Sequence, residues 1–451
     1  MPHSPSPVAG GKALWLFAAA LCFFLSSCSN VTEVYQSIDG DVSRGEYLRA
    51  IQTIRASSSV YGNKAHVLYN LDLGLLFHYA GLPDSSSAYL FAAEREIQDL
   101  YTKSISLAAI SFLTNDNVLP YDGEDFEKVM VNVFLALNFA EKGEVDEALV
   151  EARKVDLKLR EYSRQYEGKN RYQEDAFVRY IAGVLYETGG EINDAFISYR
   201  KAYESYGVYA REYKTPPPSF LLDDLVRTAT RMGFTEEAEQ YRNLGGKAAR
   251  KSDRNLGSIL VVAYAGQGPV KQEIRPTVTI PDSSGTLHTF QIALPKFVPR
   301  MKGPRTYTVE AKGPDSSVAA VGNTQIAQDI TAIAEKCLDD RIALVYLKSG
   351  GRALLKFLAA EKAKSELKKR DDKLTNFLGS LAIDLTVGAT EKADLRTWGT
   401  LPAQIQLARL NVPPGKYAVS VRSSDRGFEI PQDQVTVTSG KTEFVIVDDI
   451  R

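Results

Sequence analysis

The sequence has few of the side chains that build disulfide frameworks and metal centres. It contains 3 cysteines, Cys22, Cys28 and Cys337, and 4 histidines among 451 residues. Three scattered cysteines are too few for a disulfide framework or a cysteine-based zinc site. No two histidines have the i, i+4 spacing that places both imidazoles on one helix face. Composition therefore gives no indication of a metalloenzyme, and we expect no metal and no cofactor.

An excess of positive charge is also missing. The chain carries 54 Lys and Arg against 56 Asp and Glu, a formal net charge of −2. A general nucleic-acid binder draws its affinity from a surplus of basic side chains over phosphate. We therefore expect no nucleic-acid partner. The hydrophobic share of 44% is that of an ordinary globular protein, and the length allows about three domains.

Residues 1–27 are typical of a secretory signal. Residues 13–25 are apolar and uncharged, but they are fewer than the ~20 residues that cross a bilayer. Residues 25–28, Leu-Ser-Ser-Cys, then resemble the lipobox of bacterial lipoproteins. The resemblance implies removal of residues 1–27 and acylation of Cys28. Because Ser29 rather than Asp follows, it also implies a place in the cell envelope on the periplasmic face of the outer membrane. The alternative is an ordinary signal peptide in which Cys28 is incidental.

Residues 28–245 contain a recurring pattern of helices separated by glycine turns. The turn glycines are Gly45, Gly81, Gly143, Gly190 and Gly233. The copy over 175–203 resembles a tetratricopeptide repeat, in which small residues let two antiparallel helices approach closely. Most of the glycine intervals exceed the period of about 34 residues of that repeat. We therefore predict insertions at 95–128 and 157–174. A bundle of helical hairpins without true repeats is the alternative.

The first helix of each pair lines the concave face of such an array, and the expected function is binding. By the repeat register, the candidate partner groove includes His78, Tyr180 and Glu187, among positions that are mostly apolar. A large apolar groove is too costly to leave in water. Something therefore covers it: the 95–128 insertion, the C-terminal domain or a segment of a protein partner.

After a polar linker, residues 257–451 show the hydrophobic periodicity of strands. About eight strand-like segments follow one another, and the first is a continuous apolar run at Ile259–Ala265. The last two, Gln434–Thr438 and Glu443–Asp448, are predicted to form a hairpin across a Ser-Gly turn. This domain is therefore predicted to be β-rich and sandwich-like.

The strands are interrupted by a helical stretch at about 324–396, which begins with an amphipathic helix at Ile326–Leu347. The fold class is therefore α+β multidomain. We expect an N-terminal tetratricopeptide-like α-solenoid followed by a β-rich, sandwich-like domain with a helical insertion.

A group of charged and aromatic side chains near residue 394 forms the candidate C-terminal cluster. The carboxylates of Glu391 and Asp394 are three residues apart, beside Arg396 and Trp398. Paired carboxylates divide acid and base roles when their environments separate their pKa values, and this is the basis of an enzymatic alternative. The adjacent Lys392 and Arg396 favour a structural ion-pair cluster instead. The sequence shows no nucleophile with a base in a recognisable arrangement, so we assign no catalytic residue.

The segment 394–417 resembles a family of uncharacterised bacterial lipoproteins. It contains the block DLRxW…LP…PPGxY, which in that family occurs together with a lipobox and tetratricopeptide-like repeats. The resemblance implies a role in envelope or peptidoglycan assembly and brings no established activity with it.

We therefore interpret the chain as a non-enzymatic, lipid-anchored scaffold of the cell envelope that holds a protein partner through its repeats. The alternative is an enzyme that acts on peptidoglycan or polysaccharide, or a glycan-binding protein, using the 391–398 cluster.

Overall fold

The computed structural model describes residues 31–113, 119–165, 167, 172–247, 255–281, 287–343, 345–346, 349, 351, 392–423 and 429–450. Cys28, Glu391 and the 352–391 part of the predicted helical insertion lie outside these ranges. Within them, no helix combines the length and the apolar character that a bilayer crossing requires.

The N-terminal half is an array of helices, and successive helices pack against one another along it. In chain order the helices are α1 (Val31–Ser43), α2 (Tyr47–Ala56), α3 (Ser58–Tyr61), α4 (His66–Tyr79), α5 (Pro83–Leu113), α6 (Asp125–Glu141), α7 (Val145–Gln165), α8 (Ala176–Gly189), α9 (Ile192–Glu212), α10 (Ser219–Met232) and α11 (Thr235–Asn243). The predicted α-helical class of this half is confirmed.

Glycine determines the geometry of these hairpins at the turns and at one helix contact. All five predicted turn glycines have left-handed backbone angles, with φ between 65° and 88°, which residues with a Cβ rarely adopt. Gly183 of α8 lies against the ring of Tyr199 of α9, where a Cβ would come within 2.5 Å of the ring carbons. The close approach expected in a tetratricopeptide-like repeat is present at this contact.

Much of the first predicted insertion is not a separate element. Residues 95–113 continue α5, which is 31 residues long. The chain then returns at Tyr121, whose backbone N–H donates to the carbonyl oxygen of Lys64 at 2.8 Å. Helix α7 likewise extends to Gln165, into the second predicted insertion. Longer helices therefore account for much of the extra length in the described residues.

The C-terminal half is a sandwich of two sheets with two additional hairpins. Its described strands are β1 (Gly257–Gln267), β2 (Val270–Ile274), β3 (Thr277–Pro281), β4 (Leu287–Gln291), β5 (Leu294–Val298), β6 (Tyr307–Lys312), β7 (Val318–Asn323), β8 (Gln325–Asp329), β9 (Pro402–Val412), β10 (Gly415–Ser423), β11 (Glu429–Val437) and β12 (Thr442–Asp449). The first sheet has the order β12-β1-β9-β8, the second has the order β11-β10-β6-β7, and the hairpins are β2–β5 and β3–β4.

The predicted hairpin of the last two strands is wrong. Strand β11 pairs antiparallel with β10 in the second sheet, whereas β12 pairs parallel with β1 in the first sheet. The turn at Gly440 therefore carries the chain from one sheet to the other. Both strands still bury apolar residues, such as Val437 and Val445, in the sandwich core. Alternating hydrophobicity specifies which side of a strand is buried but does not specify its neighbour.

The helical insertion begins later than predicted. Gln325–Asp329 forms β8, which pairs antiparallel with β9, so the start of the predicted helix at Ile326–Leu347 is a strand. A helix that we number α12 then occupies 330–343. Residues 392–398 have no regular secondary structure, although the helical pattern was expected to reach about 396. At β8, pairing with a neighbouring strand outweighs the local helical pattern because sheet formation depends on tertiary context.

Strands β1 and β9 lie in the middle of three layers, which are the helices, the first sheet and the second sheet. Ile259 and Val261 of β1 face the second sheet. The alternate residues Leu260, Val262 and Tyr264 pack with the helices. A strand that is buried on both faces has a continuous apolar sequence, which explains the uninterrupted hydrophobic run of β1.

Candidate functional site

The concave groove of the array is occupied by the protein's own C-terminal half. The first sheet lies on it together with residues 394–401, which precede β9 and which we call the strap. The predicted groove residues are all buried, with His78 3%, Tyr180 0% and Glu187 7% exposed. Of the three possible covers, the structure has the C-terminal domain. The prediction that these side chains bind a separate protein is therefore corrected, because the same chain already contacts them.

His78 joins the array to β1. Its Nδ1 lies 2.6 Å from Oδ1 of Asn138, and its Nε2 lies 2.7 Å from the hydroxyl of Tyr264. The amide nitrogen of Asn138 donates to Ser86 and Ser87. Nδ1 of His78 is therefore assigned as the donor to Oδ1, and Nε2 as the acceptor from Tyr264. Burial lowers the pKa of His78 to about 4, so the ring is a neutral hydrogen-bonded bridge at pH 7.

Four charged side chains, which we call the Arg409 cluster, fasten the array to β9: Arg409, Arg227, Glu187 and Asp224. Arg409 donates to Asp224 at 2.8 Å and to Glu187 at 3.1 Å. Arg227 of α10 contacts the same two carboxylates, Asp224 at 2.6 Å and Glu187 at 2.7 Å. The predicted groove residue Tyr180 donates its hydroxyl hydrogen to Asp224 at 2.9 Å. Tyr180 and Glu187 are thus brought together, because the guanidinium of Arg409 contacts both of them.

The charges of the Arg409 cluster balance within a buried site. The side chain of Arg409 is 3% exposed and that of Asp224 is 1% exposed. Burial by itself would raise the pKa of Glu187, but Arg227 and Arg409 outweigh it and hold this pKa well below its usual range. Glu187 therefore stays ionised at neutral pH, and its contacts with Arg409 link the two halves.

Asp72 of α4 receives the strap at a second point. Its carboxyl accepts from the hydroxyl of Thr400 at 2.9 Å and lies 3.0 and 2.9 Å from the hydroxyls of Tyr35 and Tyr61. The side chain is completely buried. Burial raises the pKa of Asp72 to about 7, although these three hydrogen bonds lower it in part. Protonated and ionised forms of this carboxyl therefore coexist near neutral pH.

Asp72 is expected to give folding a distinct pH dependence. Its pKa of about 7 in the folded protein lies above the ~3.9 of an exposed Asp, so folding strengthens proton binding. Its stabilising contribution is complete below about pH 4 and is lost as the pH rises towards 7. We therefore expect the free energy of unfolding of the wild type, relative to Asp72→Asn, to fall between about pH 4 and 7.

Urea denaturation of both proteins across this pH range measures the difference. His78, whose lowered pKa has the opposite effect, is present in both proteins and cancels. A difference that stays constant from about pH 4 to 7 would show that Asp72 is ionised throughout.

Trp398 anchors the strap at a third point. Its side chain is 1% exposed, and its ring packs edge-on against Phe134 with the centroids 5.9 Å apart. The backbone N–H of Trp398 donates to Oε1 of Glu127 at 2.8 Å, and the hydroxyl of Thr397 donates to the same oxygen at 2.6 Å. The hydroxyl of Tyr121 donates to the other oxygen at 2.5 Å. Glu127 of α6 is thus a buried receptor for the strap.

The candidate C-terminal cluster is brought together only in part. Arg396 contacts both oxygens of Asp394, at 2.9 and 2.6 Å, and donates to the carbonyl oxygen of Lys64 at 2.9 Å. Burial of Asp394 is outweighed by Arg396, which lowers the pKa of this carboxyl. The carboxylate is therefore a poor proton donor, and this geometry does not support the enzymatic alternative. Trp398 lies apart in its own packing, and Glu391 is outside the described residues.

A cleft between α7, α8 and α9, which we call the convex cleft, remains open. It has a volume of about 190 Å³. Val178 and Ala182 of its α8 wall lie on the helix face opposite Tyr180, so the cleft faces away from the first sheet. Arg153 of α7 and Lys201 of α9 line it as well. The convex cleft thus combines apolar residues with basic side chains and with two acidic ones, Asp156 and Asp194.

The basic side chains of the convex cleft differ in their partners. Arg179 forms ion pairs with Asp156 and Glu174, both at 2.7 Å. Arg153 donates through Nε and Nη2 to the hydroxyl of Tyr186, at 3.1 and 2.8 Å. In the part of the chain that the structure describes, neither Arg153 nor Lys201 forms an ion pair. Lys201 acts on Asp156 only through longer-range electrostatics, so both basic side chains can pair with an acidic group from outside.

Most residues that join the two halves were not predicted from the sequence, among them Asp72, Glu127 and Arg409. Asp72 and Arg409 are charged residues within apolar stretches, and Asp72 lies in a helix that is buried on nearly all sides, whereas Glu127 is surrounded in sequence by other charged residues. A charged side chain in such a stretch needs a buried partner, which is the signal that the sequence contains. The neighbouring sequence does not identify that partner, because Arg409 and Asp224 are 185 residues apart. No group of three or more His, Cys, Asp or Glu that could hold a metal occurs among the described residues.

Comparisons with known proteins include a weak structural similarity. A scan against protein-family models finds no match, and a search of curated proteins finds none. Among solved structures, the chain is similar to the apo form of RapI, with a TM-score of 0.34 and 16% identity over 47% of this chain and 51% of that chain. The similarity thus spans about half the length of RapI. At this level it does not bear on function.

Proposed function

We propose that the protein is a lipid-anchored scaffold of the bacterial cell envelope that binds a protein partner and carries out no reaction of its own. The lipobox at 25–28 supports the anchor, and an array of helical hairpins supports a binding role. The resemblance of the 394–417 block to a lipoprotein family extends the proposal to envelope or peptidoglycan assembly at the outer membrane.

The observation that carries the proposal is that the groove is closed while the convex cleft is open. Because the chain fills its own groove, we place the proposed partner on the outward surface of the helices. Protein interfaces combine an apolar centre with polar groups at the rim, and Arg is enriched in them. A partner that inserts an apolar side chain into the cleft and places an acidic side chain beside Arg153 and Lys201 fits this surface.

Paired variants test the proposal by retention of envelope proteins on the immobilised mature protein. The double variant Arg153→Glu/Lys201→Glu reverses the charge of the cleft. The double variant Lys302→Glu/Lys416→Glu makes the same change of charge at two exposed positions of the sandwich. We expect wild type and control to retain the same envelope protein, and the cleft variant to retain about tenfold less, which corresponds to ~1.4 kcal/mol.

Unfolding free energies of all three proteins show that the variants remain folded. Equal retention by the cleft variant would place the partner site elsewhere. A wild type that retains no envelope protein above empty resin would contradict the scaffold proposal. Fractionation of cells that produce the Cys28→Ser variant tests the anchor separately, because this variant is expected to leave the membrane fraction.

A further inference from the structure

We infer that the acyl anchor at Cys28 holds the folded protein directly on the bilayer surface in one orientation, with the start of α1 towards the lipid. The inference rests on the lipidation in the proposed function and adds the geometry of the membrane contact. Its basis is the short length of chain between Cys28 and an immobilised helix.

Helix α1 packs along one complete face. Its buried residues recur at helical spacing and are Val31, Val34, Tyr35, Ile38 and Val42. This i, i+3, i+4, i+7 pattern is that of a helix whose apolar stripe is covered by the core. Val31, the first residue of the helix, is itself only 6% exposed. The helix is therefore part of the folded body from its first residue.

Polar contacts tie α1 to the array and to the strap. The hydroxyl of Tyr35 lies 3.0 Å from Oδ2 of Asp72 and 2.8 Å from the carbonyl oxygen of Thr397. The ring also lies close to Gly399, where a Cβ would come within 2.7 Å of a ring carbon. Tyr35 is thus enclosed by both halves of the protein.

A second contact ties α1 to the sandwich. Asp39, one turn after Tyr35, forms an ion pair with Arg300 at 3.3 Å. Arg300 follows β5, and its Nε donates to the carbonyl oxygen of Gly268 at 2.6 Å. The helix therefore cannot tilt away from the body without breaking contacts to all three parts, the array, the strap and the sandwich.

The tether from the acylated residue to this helix is short. Cys28 and Val31 are separated by three Cα–Cα steps, which reach at most about 11 Å even when fully extended. A compact chain of this length has a radius of gyration of about 22 Å. Because the tether is only about half that radius, the body cannot move away from the bilayer or turn freely above it. The start of α1 must therefore lie within about 11 Å of the point where the anchor enters the bilayer.

A flexible spacer inserted between Asn30 and Val31 removes this restraint. About 20 Gly and Ser residues have a root-mean-square length of roughly 25 Å, which is comparable with the radius of the body. The comparison therefore uses the full acylated protein with native spacing and the same protein with the spacer.

Both forms are incorporated in phosphatidylethanolamine–phosphatidylglycerol vesicles that contain a lipid with a nitroxide headgroup. A fluorophore is attached at Glu33→Cys or Gln240→Cys, each in a Cys337→Ser background. Glu33 is an exposed residue near the start of α1, and Gln240 is an exposed residue of α11 at the opposite end of the array. The nitroxide quenches fluorophores that lie at the headgroups.

With native spacing we expect several-fold stronger quenching at Glu33→Cys than at Gln240→Cys, and with the spacer we expect the two sites to become similar. Equal quenching of the two sites at native spacing, or a pattern that the spacer leaves unchanged, would overturn the inference. Flotation with the vesicles reports anchoring independently, and Cys28→Ser is its negative control. Protein that floats without orientation contradicts the inference alone, whereas protein that does not float contradicts the lipidation in the proposed function.

Discussion

Replacement of Arg409 by Met is expected to lower the free energy of unfolding by about 3–5 kcal/mol, because it leaves a buried negative charge without its partner. In the wild type two guanidinium groups face two carboxylates, and Arg409 donates to both Asp224 and Glu187. Without it, Arg227 and the half-exposed Arg231, which lies 3.9 Å from Glu187, must compensate both. A Met side chain is similar in length and apolar, so the effect reports lost charge pairing more than lost volume.

Two further variants serve as a control and as a test of charge pairing for the Arg409→Met measurement. Arg44→Met removes an exposed guanidinium that pairs with the exposed Glu46 and with Asp41, which keeps Arg49 as a second partner. It should have little effect because solvent screens the pairs of an exposed guanidinium. The double variant Arg409→Met/Glu187→Gln removes one charge of each sign, and we expect it to be more stable than Arg409→Met. Urea denaturation monitored by circular dichroism measures all of them. If Arg409→Met is as stable as Arg44→Met, the Arg409 cluster does not hold the two halves together.

The Trp398→Ala variant is expected to lose about 3–5 kcal/mol of unfolding free energy, the usual result of emptying a buried aromatic site. The ring is 1% exposed and packs against Phe134, so its removal leaves a cavity beneath the strap. Because the strap closes the groove at this point, we also expect increased binding of an apolar dye such as ANS to the variant.

The matched control for this truncation is Leu287→Ala. Leu287 is a large apolar side chain that is 68% exposed, and its truncation should change the unfolding free energy by less than about 0.5 kcal/mol. Similar effects of Trp398→Ala and Leu287→Ala would mean that the strap is not anchored by the tryptophan.

The convex cleft and the closed groove follow from one feature of the fold. Helix α8 turns Tyr180 towards the sheet and turns Val178 and Ala182 towards the convex cleft. His78 and Glu187, which the repeat register assigns to the concave face, contact β1 and β9 of the same chain. The repeat register is a local property of the helices, whereas the occupant of their groove depends on a sheet formed much later in the sequence.

The candidate C-terminal cluster likewise combines a local contact that the sequence predicts with a distant contact that it does not predict. The adjacent charges of Asp394 and Arg396 predict a local ion pair, and the structure contains it. Their neighbour Trp398 was grouped with them by sequence proximity, but its ring packs against Phe134 of α6 instead. In a segment without regular secondary structure, side chains two residues apart have no fixed relation until the surrounding elements enclose them.

Local patterns were sufficient for the α+β class, for the helical hairpins and for the apolar run of β1. The reason is that left-handed turn glycines, helical spacing and strand alternation depend on neighbouring residues. The pairing of β12 with β1, the closure of the groove and the partners of Asp72, Glu127 and Arg409 were decided only by the tertiary structure. Each joins residues far apart in sequence, and burial of a charge or of a strand requires a partner without specifying which distant residue supplies it.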